Sequence, residues 1–157
     1  MWQIALVVLM CLLLGGVVTL AVLSATARAP DNLGVKDGRL APCPATPNCV
    51  STQAAPQDSE HRIEPIPFDG PPPEALRRIK AALATFPRVR IVRETDDYLH
   101  AEFTSLVFRF VDDVEFYVDA AGRRIDFRSA SRVGRSDVGA NRRRMEAFRR
   151  AFAAVGP

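Results

Sequence analysis

The N-terminal part of the chain is continuously apolar rather than periodically patterned. Residues 1–27 carry no charged side chain, and residues 4–23 are almost wholly hydrophobic. Twenty helical residues span about 30 Å, the thickness of the hydrocarbon core of a bilayer. We therefore predict a membrane anchor, or an uncleaved signal, over residues 1–27. A cleaved secretory signal is the alternative, since residues 25–27 (Ala-Thr-Ala) offer a cleavage site, although such signals usually have a shorter apolar core preceded by Lys or Arg.

Beyond residue 60 the hydrophobic positions become periodic. Helical spacing predicts a helix that starts at Glu74 and ends before Pro87, and a second helix over residues 137–155. Alternation predicts strands at 61–68, 89–93, 98–104 and 124–130. Residues 106–118 also alternate, and predict either one long strand bent at Asp112 and Asp113 or two strands that turn there. The pattern indicates an α+β domain over residues 61–157, an antiparallel sheet of about four to five strands covered by two helices and preceded by the membrane-spanning helix.

Residues 28–60 form a Pro-rich, irregular segment that contains Cys43 and Cys49. A zinc site needs about four ligands, and the chain has only two histidines, neither at ligand spacing, so we predict a disulfide and no metal site. A disulfide indicates an oxidising compartment and hence an extracytoplasmic, periplasmic domain. Arg28, Lys36 and Arg39 follow the apolar span and argue for the cytoplasmic side. We give the cysteines more weight because this charge bias is small.

The charges are unevenly distributed along the predicted domain. Residues 94–119 contain eight acidic residues and one arginine, whereas residues 123–150 contain ten arginines and three acidic residues. We expect the two stretches to face each other and to neutralise one another, since neighbouring strands bring opposite charges together. An external anionic partner is the alternative. The arginine run 142–144 has no interleaved aromatic residues, so we predict no nucleic-acid partner.

Residues 126–144 run from a predicted strand through a loop into the last helix and gather most of the candidate chemistry. A helix N-terminus beside arginines can bind an anion. The residues of this ligand-binding hypothesis are Arg128, Ser131, Arg132, Ser136, Asp137, Asn141 and Arg142. The alternative is structural: Asp137 caps the helix, Arg132 pairs with Asp112 or Asp113, and Asn141 ties the loop to the helix.

A second group of polar residues lies on the predicted strands. Asp112, Asp113 and Glu115 form either ion pairs or an alternative site, although adjacent strand residues point to opposite faces. His100 and Glu102 share one face of a strand, as a general base and its orienting carboxylate would. These residues support a hydrolase hypothesis, but no Ser or Cys is placed beside them by the sequence.

Three stretches of the chain resemble the DUF1499 family of uncharacterised proteins: LGVKDGRLAPCPATPNCVSTQ, YLHAEFTSLVFRFVDDVEF and RSASRVGRSDVGANRRRMEAFR. The resemblance covers about residues 33–153. It implies a protein of bacteria or plants, often behind a membrane or export segment, with no agreed reaction and no role to assign to single residues.

The sequence as a whole leads us to expect a membrane-anchored extracytoplasmic domain that is not an enzyme, needs no cofactor, and binds a small anion or an envelope protein. The alternatives are the hydrolase and a purely structural role in the envelope.

Overall fold

The computed structural model of the chain describes residues 2–156. Met1 and Pro157, the end residues of the predicted ranges 1–27 and 61–157, lie outside the described residues. Helix α1, Trp2–Thr26, is long and apolar enough to cross a membrane, with a mean hydropathy of 2.9 over its most apolar window and none of that window buried. An N-terminal helix of this kind indicates membrane anchoring.

The domain that follows is built on one antiparallel sheet. Its strands are β1 (Cys49–Ser51), β2 (Ile66–Pro67), β3 (Val89–Glu94), β4 (Tyr98–Thr104), β5 (Val111–Asp119) and β6 (Arg124–Ser131). They lie in the order β1-β6-β5-β4-β3, and the short β2 pairs with the other end of β6. Strands β3 to β6 therefore form a meander, and β1 returns from the N-terminal segment to cover the edge of β6.

Two helices pack on one face of the sheet. Helix α2, Pro72–Leu83, follows a proline-rich start, and helix α3, Ala140–Ala154, runs almost to the end of the chain. Their apolar stripes meet alternate side chains of β4, β5 and β6 in one core. The fully buried ring of Phe148 lies 4.6 Å, centroid to centroid, from that of Phe116 and so joins α3 to the middle of the sheet. The main hydrophobic cluster of the domain lies on this face.

The α+β fold predicted from the sequence is confirmed, with six strands in place of four to five. Strand β1 lies in the segment that the sequence indicated as irregular. The predicted strand 61–68 shrinks to two residues because prolines flank and interrupt it, and β5 begins at Val111 because residues 105–110 form a closed loop. Helix α3 begins at Ala140, three residues later than predicted.

The N-terminal segment contacts the face of the sheet that the helices leave free. Gly34 N donates to Glu115 Oε1 at 2.7 Å, and Lys36 and Arg39 close a tight turn through paired backbone hydrogen bonds. Leu40 is buried, and its N–H donates to Gln53 Oε1 at 2.8 Å. Segment 31–42, named the strap below, thus connects α1 to the sheet.

The predicted disulfide joins Cys43 to Cys49, whose Cα atoms are 5.7 Å apart. Cys49 is fully buried at the start of β1. The neighbouring Asn48 accepts through its carbonyl from Ser131 N at 3.0 Å. The bond therefore fixes the loop that leads into the edge strand.

Candidate functional site

Charged side chains line the helix-free face of the sheet and are buried there. Alternation along the strands puts every second residue of β4, β5 and β6 on this face. The charged layer, as this set is called below, consists of Tyr98, His100, Glu102, Asp113, Glu115, Arg128 and the adjoining Arg132. Six of these residues are at most 9% exposed.

Arg132 connects the carboxylates at one end of the charged layer. Its Nε and Nη2 lie 2.8 and 2.6 Å from the two carboxylate oxygens of Asp113, and Nη2 also lies 2.5 Å from Glu102 Oε1. His100 Nε2 is 2.7 Å from Asp113 Oδ1. Arg90 reaches the other oxygen of Glu102 at 2.7 Å from the exposed side of β3. Two buried carboxylates therefore share one bidentate guanidinium.

The protonation of these groups follows from their contacts. Burial pushes the pKa of Asp113 up, but hydrogen bonds from Arg132 and His100 outweigh burial and hold this pKa below its usual value. Burial also raises the pKa of Glu102, but hydrogen bonds from Arg132 and Arg90 outweigh it and leave this pKa lowered. The hydrogen bond to Asp113 is the main reason that the pKa of Arg132 is raised. Both carboxylates are therefore ionised at neutral pH.

Glu115 organises the other end of the charged layer. It is fully buried and accepts from Gly34 N of the strap, from Tyr98 Oη at 2.8 Å and from Arg128 Nη1 at 3.3 Å. Burial first, and the charge of Glu115 second, raise the pKa of the Tyr98 hydroxyl, so it stays protonated and donates. Arg128 Nε is buried without a hydrogen-bond partner among the described residues.

The formal charges of this region balance internally. Three carboxylates, those of Glu102, Asp113 and Glu115, meet three guanidiniums, those of Arg90, Arg128 and Arg132. Arg128 and Arg132 of the basic stretch thus pair with the acidic stretch, as expected, whereas Arg90 lies outside the basic stretch. The positive charge of Arg128 and Arg132 is already matched, which weakens the anion-binding hypothesis at these two residues.

On the opposite face, Asn141 joins α3 to the sheet. It is 1% exposed, and its Nδ2 donates to Asn48 O at 2.9 Å and to Ser131 Oγ at 3.0 Å. Its Oδ1 accepts from Ser129 Oγ and from Arg144 Nη1, each at 2.5 Å. All the hydrogen-bonding groups of this amide are used, so Asn141 holds the disulfide loop, β6 and α3 together.

The three acidic residues of the predicted alternative site do not come together. Asp112 points to the helix side and pairs with Arg144, whose guanidinium also lies 4.8 Å from the ring centroid of Phe103. Asp113 and Glu115 point to the charged layer. Among residues 2–156, no group of three or more His, Cys, Asp or Glu side chains is placed to hold a metal ion.

The start of α3 is arranged by the turn before it. The Asp137 carboxylate accepts from Gly139 N at 2.9 Å and from Asn141 N at 2.6 Å. Asp137 therefore caps α3, although the residue directly before the helix is Gly139, with φ 75°. Arg142 donates to the carbonyls of Arg62 and Glu60 at 3.0 and 2.9 Å. Both residues of the ligand hypothesis therefore have partners within the chain.

A cleft lies between the last turns of α1 and the loop that leads from β6 to α3. Its volume is about 370 Å³. Leu20 and Leu23 of α1 line it together with Phe110 and Val133. The polar part of its lining includes Ser131, Ser136, Asp137 and Asp112. Three residues of the predicted ligand site thus meet in a cleft with apolar walls.

Sequence reasoning missed several residues that organise this region. Tyr98 belongs to the charged layer, Arg90 pairs with Glu102 at its edge, and Arg144 pairs with Asp112. His61 is buried beside the disulfide loop, with Nδ1 2.8 Å from Asp58 Oδ2 and Nε2 3.2 Å from Thr46 O. Burial lowers the pKa of His61, but the hydrogen bonds to Asp58 and Thr46 outweigh it and leave the pKa raised. Of these, Arg144 had the clearest signal, because it sits at the edge of the apolar stripe of α3.

Comparison with known proteins gave one result. A family model described as a protein of unknown function, DUF1499, matches residues 39–152. No curated protein and no solved structure matches the chain.

Proposed function

The chain belongs to the DUF1499 family, and we propose that it is a membrane-anchored extracytoplasmic binding protein that holds a small amphipathic ligand beside its anchor. The observation that carries this proposal is the cleft, which combines apolar walls from α1 with the hydroxyls of Ser131 and Ser136. Ligand sites are typically concave, mostly apolar and supplied with a few polar groups that fix orientation. The cleft has this character.

Two features support the location. Helix α1 has the length and hydropathy of a membrane span, and the Cys43–Cys49 bond fits an oxidising compartment. Mass spectrometry of protein trapped with an alkylating reagent in cells should find these cysteines unmodified unless a reductant is added first. Alkylation of both without reductant would place the domain in a reducing compartment instead.

The surroundings of the cleft favour an amphiphile over a small inorganic anion. The residues that line the cleft include no Lys, Arg or His. Its two carboxylates, Asp112 and Asp137, are engaged with Arg144 and with backbone N–H groups. Leu20, Leu23 and Phe110 offer an apolar wall that an inorganic anion would not use. A ligand with a polar head at the serines and an acyl chain along α1 fits both parts.

Binding rather than catalysis is favoured by the contacts of His100. Its Nε2 is bonded to Asp113, and Asp113 is held on both oxygens by Arg132. Among the described residues, no Ser or Cys side chain is a hydrogen-bond partner of His100. A nucleophile and an approach for substrate would both be needed for the hydrolase hypothesis.

The cleft can be tested by photocrosslinking. The full chain is reconstituted into vesicles that contain a monoacylglycerol, whose head is neutral and whose acyl chain carries a photoactivatable diazirine, and adducts are mapped by mass spectrometry. We expect adducts at residues 131–136 as well as on α1. Ser136→Phe fills the cleft and should abolish the adducts at 131–136.

The matched control is Ala153→Phe, which adds the same ring to an exposed position near the end of α3 and should leave the adducts unchanged. Adducts confined to α1 in every variant would mean that only bilayer lipid was labelled, and the proposed ligand site would be wrong.

A further inference from the structure

The loop that joins β4 to β5 displays apolar side chains that pack on neither face of the sheet. Leu106 and Val107 are 70% and 73% exposed, and Phe108 and Phe110 are half-buried against one another with ring centroids 5.8 Å apart. Four apolar residues within five positions on one exposed tip are unusual for a domain whose own core lies elsewhere.

This loop is closed at its base. Ser105 N donates to Phe110 O at 2.8 Å, and Phe110 N donates to Ser105 Oγ at 2.9 Å. Arg109 completes the turn with φ 59°, in the left-handed region that few residues with side chains adopt. The apolar tip is therefore held out from the sheet by defined hydrogen bonds.

Val138, in the turn before α3, is another apolar side chain exposed near the loop. It is 81% exposed and has φ 54°, a conformation that is strained for a β-branched residue. Its N–H donates to Ser136 Oγ at 3.2 Å, and its carbonyl accepts from Arg143 at 2.7 Å. The turn thus fixes the backbone in a strained form that leaves the valine side chain uncovered.

Both apolar tips belong to the end of the domain that meets the anchor. Phe110 of the loop and Ala140 beside the Val138 turn line the same cleft as Leu20 and Leu23. These leucines lie in the last turns of the apolar segment of α1, where a membrane-spanning helix leaves the hydrocarbon core. With α1 across a bilayer, both tips would stand near the level of its surface.

Basic residues accompany these tips. Arg109 lies in the loop, Arg135 lies next to the Val138 turn, and both are exposed. Apolar side chains that enter the boundary between headgroups and acyl chains, with arginines that reach lipid phosphates, are the usual composition of an interfacial membrane contact.

We infer that the β4–β5 loop and the Val138 turn form a second membrane contact, which inserts Leu106, Val107 and Val138 into the surface of the bilayer that α1 spans. This contact fixes the orientation of the domain, so that the cleft opens toward lipid. The inference rests on the retained anchor of the proposed function, but it does not require a ligand in the cleft.

Tryptophan quenching tests the contact in the full chain. Trp2, the single tryptophan of the chain, is replaced by phenylalanine, and Val107→Trp introduces the reporter in this background. The protein is reconstituted into phosphatidylcholine and phosphatidylglycerol vesicles whose acyl chains are brominated near the carbonyl. We expect a blue-shifted emission that loses most of its intensity to the bromines and little to aqueous iodide.

Ala121→Trp in the same background is the matched control, because it lies in the exposed turn at the other end of β5 and should respond only to iodide. Leu106→Glu added to the Val107→Trp reporter should restore iodide quenching. The inference is overturned if Val107→Trp and Ala121→Trp respond alike, or if Val107→Trp is shielded from both quenchers, since another protein chain would then cover the loop.

The outcome separates this inference from the proposed function. If bromine quenches Val107→Trp but no adducts form at residues 131–136, only the ligand site is refuted. If the adducts form but iodide quenches Val107→Trp, only the membrane contact is refuted. An intact mass that lacks α1 in protein isolated from cells would refute the anchor and, with it, both.

Discussion

Replacement of Arg132 by methionine should destabilise the domain strongly. Arg132 makes three short hydrogen bonds to Asp113 and Glu102, and its side chain is 8% exposed. Removing one partner of a buried ion pair typically costs 3–5 kcal/mol, because a charge is left buried and unmatched. Asp113 retains His100, and Glu102 retains Arg90, so we take the lower end and expect about 3 kcal/mol for Arg132→Met.

The pH dependence distinguishes this mechanism from a simple loss of packing. The pKa values of Asp113 and Glu102 are lowered in the folded protein, so the stability that they contribute is present above the unfolded values of about 4 and is lost as the pH falls. Removal of Arg132 takes away one cause of the lowering, so the pKa values of both carboxyl groups should move upward. The difference between wild type and variant should therefore be largest near neutral pH and should shrink in acid.

The assay is urea unfolding in detergent at several pH values, followed by near-UV circular dichroism of the domain's tyrosines. Trp2 lies on α1 and would not report on the sheet. The matched control is Arg90→Met, which removes a partner of the same Glu102 from a side chain that is 71% exposed and should cost at most about 1 kcal/mol. Equal effects of the two variants, or a difference that grows in acid, would refute the reasoning.

Two further predictions concern the residues around the disulfide loop. Asn141→Ala should reduce the free energy of unfolding by about 3 kcal/mol because its buried partners lose their hydrogen bonds. The control Asn32→Ala, at an exposed site, should change it by less than about 0.5 kcal/mol. Similar values for both variants in urea unfolding would contradict this prediction. The pKa of His61 is raised on folding, so its contribution to stability is complete below the unfolded value of about 6.5 and is lost as the pH rises through the folded value. His61→Gln should therefore be less stable than wild type at pH 5.5 and closer to it at pH 8.5, and a gap that widens with pH would show that the histidine is not stabilised in its charged form.

The central part of the fold was predictable because its sequence carries a strong period. Strand β4 begins and ends where alternation indicated, and Met145, Phe148 and Phe152 of α3 are buried as the helical stripe requires. The alternation of β5 also separated Asp112 from Asp113 correctly. Local periodicity decides to which face of a strand or helix a side chain points. The strand side chains that point toward α2 and α3 are then buried beneath these helices.

The remaining elements depend on contacts that a local pattern does not contain. Strand β1 has three residues and exists because β6 offers an edge to pair with. Residues 106–110 alternate like a strand, yet Ser105 and Phe110 close them into a loop. The sequence indicated that Arg132 pairs with Asp112 or Asp113. It did not indicate that Asp113 and Glu102 are both partners, because this depends on the register that places Glu102 beside Asp113.

The edge position of β1 also sets an order of assembly. Strands β3 to β6 are successive hairpins with local pairing, whereas Asn48 meets Asn141 across a sequence separation of 93 residues. Local pairs close faster than distant ones because less chain entropy is lost before contact. We expect the meander to form first and the N-terminal segment to add last, so that oxidation of Cys43 and Cys49 locks a domain that has already folded.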